Sequence, residues 1–80
     1  MQIDRVIIER EDRTSFCGVL SYLHADRHQM LTWSFERTPD NKVVLLLFPS
    51  SSSGHYPEVQ THYRELADAI LDAILHAASR

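Results

Sequence analysis

The sequence has one cysteine, one lysine, two glycines and no uninterrupted apolar run longer than six residues. A lone Cys17 cannot form an internal disulfide, which fits a reducing compartment. Its place inside an apolar alternating stretch reads as a buried structural thiol rather than a reactive one. The six apolar residues Val43 to Phe48 fall far short of the roughly 20 that a membrane helix needs, so no membrane span is expected. Met1 to Arg5 lead into a strand-like pattern without the basic start, apolar stretch and small-residue cleavage site of a secretory leader. The chain therefore reads as cytoplasmic.

Positive charge is also scarce. Seven arginines and the single Lys42 face eleven acids, for a net charge of −3. Arg5, Arg10, Arg13 and Arg27 are interleaved with Asp4, Glu9, Glu11, Asp12 and Asp26, a mixture typical of a solvated surface. Without a basic block, nucleic acid is not the expected partner. The shortage of glycine has a parallel consequence. Ser50 to His55, between an apolar strand and a helix, is where backbone N–H groups could receive a phosphate, but Gly54 is its sole glycine. Neither a Gly-Lys-Ser ending nor dinucleotide-binding spacing is present, so the segment reads as a connection. No Gly-x-Ser-x-Gly elbow accompanies these serines and His55, and no catalytic role or cofactor is expected.

What the chain does contain is an ordinary globular balance, 44% hydrophobic and 24% charged. Eighty residues make one domain, spanning 1–80, of a size that buries only about 60 to 65% of its unfolded surface. The segment around which the rest is organised is Lys42 to Phe48, continuing through the serine loop into Pro57 to Arg80. Val43 to Phe48 has no polar residue, so this strand should be covered on both faces. Ile3 to Arg10 is β-branched and imperfectly alternating, and reads as a first strand. Phe16 to His24 reads as a second, and Met30 to Arg37 alternates cleanly as a third. Thr38, Pro39, Asp40 and Asn41 give the strongest turn signal and join the third and fourth strands as a hairpin.

With four-residue turns, counting places Leu31, Trp33 and Phe35 on one face with Val44, Leu46 and Phe48. Phe16, Leu20 and Tyr22 join them, and Gly18 leaves room for Phe35. The second face would carry Val6, Ile8, Cys17, Val19, Leu23, Val43, Leu45 and Leu47. Pro57 suits the first turn of a helix, and Val59, Tyr63, Leu66, Ala67, Ile70, Ile74 and Ala77 recur at helical spacing. Leu71, Leu75 and Ala78 widen that stripe. The expected fold is α+β, an antiparallel four-stranded β-meander with one C-terminal α-helix packed on the sheet (ββββα). A competing parse that makes Leu20 to Trp33 helical is disfavoured by the β-branched and aromatic residues around it.

Four groups invite a chemical reading. His24 and His28 are half of a metal site at most, since zinc needs three or four ligands, and two loop histidines are the ordinary reading. Trp33, Phe35, Tyr22 and Phe16 could stack on bases but lack basic flanks, and read as core beneath the helix. Glu65, Asp68, Asp72 and His76 form a line at helical spacing, ordinarily a solvated face but able to dock a basic partner. Tyr56 stands near the helix start as an exposed contact.

One helix can cover one face of the sheet, yet both faces are apolar. A small non-enzymatic protein-protein interaction module is therefore expected, as a homodimer acting as a regulator, inhibitor or accessory protein. The partner-binding residues would be Tyr56, Glu65, Asp68, Leu71, Asp72 and Leu75. The alternative is a nucleic-acid or small-anion binder using the serine loop and the N-terminal arginines.

Overall fold

In a computed structural model the chain is described over residues 1–49 and 57–79. Four strands form one antiparallel meander in the order β1 (Gln2–Glu11), β2 (Ser15–His24), β3 (Arg27–Arg37) and β4 (Val43–Pro49). Two helical segments follow, α1 (Pro57–Thr61) and α2 (Tyr63–Ala78), so the expected ββββα arrangement is the one observed. The expected single helix is interrupted at His62, yet its hydrogen bonds carry on across the break. The His62 N–H donates to the Glu58 carbonyl and the Leu66 N–H to the His62 carbonyl, at 2.9 and 3.1 Å. Among the described residues no helix is long and apolar enough to cross a membrane.

The helical stripe packs as its spacing predicts. Val59, Leu66, Ile70 and Ile74 are buried against Leu20, Tyr22, Leu31, Trp33 and Phe35, which all point to one side of the sheet. The Trp33 indole N–H donates to the Val19 carbonyl at 3.1 Å, so the largest core side chain is also satisfied. Leu20 to Trp33 is β-hairpin, not helix. Ala25 and Asp26 both take positive φ, 51° and 60°, giving a two-residue turn whose twist matches the strands. The third strand consequently begins at Arg27 rather than Met30.

The faces of β4 are exchanged relative to the count from four-residue turns. Thr38 to Asn41 does form a β-turn, closed by the Asn41 N–H on the Thr38 carbonyl at 2.9 Å. Asn41 then adopts a left-handed φ of 65°, and Lys42 becomes a fifth loop residue, its carbonyl accepting from the Thr38 N–H at 2.8 Å. One extra residue inverts the strand. Phe35 lies opposite Leu45 and Trp33 opposite Leu47, which places Val43, Leu45 and Leu47 on the helix side. Val44, Leu46 and Phe48 fall on the outer face.

Strand β1 is corrected by the same kind of device. Asp4 and Glu9 are unpaired extra residues that interrupt its ladder with β2. Val6 then faces Leu20 and Ile8 faces Gly18, so both belong with the core rather than the second face. Gly18 lies opposite Trp33, not Phe35, and what it accommodates is backbone. A Cβ built there would meet the Ile7 carbonyl oxygen at 1.9 Å.

The two edges of the sheet differ. The β1 edge is broken twice by bulges at acidic residues, whereas β4 pairs continuously with β3. The Arg37 N–H turns toward β2, donating to the Thr14 carbonyl at 2.7 Å, so Arg37 and Val43 form a non-hydrogen-bonded pair. By alternation Val43, Leu45 and Leu47 direct their backbone groups off the open edge. The Leu45 carbonyl accepts from the Tyr63 hydroxyl at 3.2 Å, tying the start of α2 to this edge.

Two outcomes test this account. Gly18→Ala should destabilise the fold by about 3 kcal/mol or more, since the backbone of β1 must retreat, read as a lowered denaturation midpoint. At the β3–β4 turn, the Thr38 hydroxyl donates to Asp40 and holds its carboxyl below the usual aspartate range, with Lys42 acting in the same direction. A carboxyl lowered in the folded state stabilises above its unfolded value and loses that contribution as pH falls through the folded one. Thr38→Val should raise the Asp40 titration midpoint in an NMR pH series, and an unmoved midpoint would contradict the assignment.

Candidate functional site

Inversion of β4 decides what the outer face of the sheet presents. Across the strands, Ile7 stands opposite Val19, Val19 opposite Thr32, and Thr32 opposite Phe48. A neighbouring row sets Arg10 against Cys17, Cys17 against Ser34 and Ser34 against Leu46. Met30 lies opposite Ser21, and Val44 opposite Glu36. Ile7, Met30, Val44, Leu46 and Phe48 each keep between 41 and 51% of their surface exposed, because neither helical segment covers this side. Charged groups stand at its margins, with Arg5 and Arg10 on β1, Glu36 near the end of β3, and Asp4 beside His28 at the other end. An apolar field with a charged margin has the composition of a protein contact surface. Cys17 belongs to this face and is half-buried, more accessible than its sequence position implies.

A second apolar feature lies on the helix side. Helix α2 leans toward β1, and between its other flank and the end of the sheet is a groove of about 550 Å3. Phe16, Phe35 and Val43 line it from the sheet, and Leu71, Ile74 and Leu75 from the helix. Phe16 and Phe35 meet edge to face, with ring centroids 6.0 Å apart. Leu75 is the most exposed large apolar side chain described, at 69%.

Of the residues expected to bind a partner, Leu71 and Leu75 come together in this groove, while Glu65, Asp68 and Asp72 are solvent-exposed on α2. Glu65 accepts from or pairs with the His62 ring at 3.2 Å. Tyr56 and the serine loop, Ser50 to His55, lie outside the described residues. The four N-terminal arginines are not gathered. Arg5 and Arg10 sit on the outer face of β1, Arg13 follows in the β1–β2 turn, and Arg27 is at the opposite end of the sheet. His24 and His28 are also separated. His24 is on the helix side, its ring 6.1 Å from that of His62, whereas His28 shares the outer face with Leu23 and approaches Asp4 at 3.5 Å. Among the described residues no three His, Cys, Asp or Glu side chains assemble as metal ligands. The aromatic residues weighed as a base-stacking platform are core instead: Tyr22, Trp33 and Phe35 are buried and Phe16 packs against them.

The sequence pattern could not have revealed the groove, because it assigns Phe16 to the face of Trp33, Val43 to the second face and Leu75 to the flank of the helix. It arises from the lean of α2 and from the turn that carries Val43 to the helix side. Comparison with protein-family models, curated proteins and solved structures gave no match to this chain.

Proposed function

We propose that the protein is a small non-enzymatic interaction module that works as a homodimer joined through the outer face of its sheet. The observation that supports this reading is the uncovered apolar field of Ile7, Met30, Val44, Leu46 and Phe48 on a chain of only 80 residues. Burial of apolar surface releases on the order of 25 cal/mol per Å2, so leaving this field in water is costly and covering it drives association. A second copy is a suitable cover because a two-fold contact apposes the same face of both subunits. Two such faces pack about 10 Å apart as a sandwich, with Thr32 and Ser34 between the larger side chains. Regulation, inhibition or accessory action in the cytoplasm would follow from what the dimer then presents, including the acidic residues Glu65, Asp68 and Asp72 on α2.

Sedimentation at micromolar concentration tests the proposal. The expected species is two chains of 9.3 kDa. Leu46→Lys with Phe48→Lys should weaken self-association by roughly thirtyfold or more, because each replaces an exposed apolar side chain of that face with a charge. Both positions are exposed, so circular dichroism should be unchanged. A wild-type chain that sediments as a monomer, or a dimer indifferent to both substitutions, would refute this reading.

A further inference from the structure

The groove beside α2 differs chemically from the outer face, because its few polar groups are at one end. Thr14 and Arg13 enter from the β1–β2 turn and Arg37 from the end of β3. The hydrogen bond from the Arg37 N–H to the Thr14 carbonyl holds these two segments together at that end. No aspartate or glutamate is among the lining residues, and neither guanidinium makes an ion pair with any described residue. Two cations therefore share one end of a groove whose remaining walls are Phe, Val, Leu, Ile and Ala side chains.

That arrangement selects a ligand class. A polar atom in the middle of the groove would find no directional partner and would lose its hydration without compensation. At the arginine end an anion gains charge-assisted hydrogen bonds from planar forks suited to a carboxylate. The volume of about 550 Å3 falls within the range of small-molecule sites. A tail lying against Val43, Leu71 and Leu75 would remove from water some of the most exposed apolar surface on the helix side. From this geometry we infer that the groove binds a free fatty-acid-type amphiphile, an aliphatic chain ending in one carboxylate, with Arg13 and Arg37 holding the head and Val43, Leu71 and Leu75 the tail.

This site is on the opposite side of the sheet from the proposed dimer face, and the two readings can fail independently. The test is calorimetric titration of the full chain with decanoate below its micelle concentration, repeated with decyltrimethylammonium. NMR chemical-shift mapping locates the ligand. Saturable 1:1 binding of decanoate is expected, with shifts centred on Val43, Leu71 and Leu75. Arg13→Gln with Arg37→Gln should weaken it by at least about tenfold, as loss of charge-assisted hydrogen bonds requires. Leu75→Glu should abolish it. All three positions are exposed, so the fold should persist. The Leu46→Lys, Phe48→Lys chain should bind decanoate as the wild type does. The inference is overturned by absence of saturable binding, by equal binding of the cationic amphiphile, or by indifference to the arginine substitutions. Shifts confined to Ile7, Met30 and Phe48 would also overturn it. So would dissociation of a dimer by Leu75→Glu, since a second copy would then be the occupant.

Discussion

The burial of Trp33 is the interaction on which the other elements depend. Its indole is fully enclosed at the middle of β3, and its N–H is satisfied by the Val19 carbonyl of the adjacent strand. Gly18, directly opposite in the ladder, has no side chain, and that absence lets the β1 backbone approach at Ile7. One glycine thus sets the spacing of β1 and β2 beside the buried ring. Leu66, Ile70 and Ile74 then close the core from above, which fixes the helix to this side of the sheet and leaves the other side bare.

A sheet with a single helical cover is sided, and the two sides have different character. The outer face is broad, flat and apolar with a charged margin, suited to another broad surface. On the helix side, the lean of α2 toward β1 and the tie between Tyr63 and Leu45 leave a groove whose charge is gathered at one end. The distinction rests on where the helix settles rather than on any motif.

Much of this fold was legible in the sequence. The strand order, the turn at Thr38 to Asn41, the helical stripe and the burial of Trp33, Phe35 and Tyr22 all follow from spacing and composition. The facing of β4 and β1 did not, for a physical reason. Each depends on a single added residue: Lys42 after a left-handed Asn41 in one case, and the bulge at Glu9 in the other. Side-chain alternation carries no mark of such a residue, since Val43 to Phe48 is apolar at every position and reads equally well in either orientation. The candidate sites inherited that ambiguity. Leu71 and Leu75 could be recognised as surplus apolar surface, but their meeting with Val43 and Arg37 required the register.

The unlike edges of the sheet have a consequence for how far any assembly by strand addition could extend. Growth of a β-structure without limit needs two receptive edges on every subunit, so that each arrival leaves a new place for the next. Here the β1 edge is twice interrupted, at Asp4 and Glu9, and the β4 edge is regular apart from the carbonyl occupied by Tyr63. Two short backbone irregularities, each built on an acidic residue, therefore work against growth of the sheet past β1.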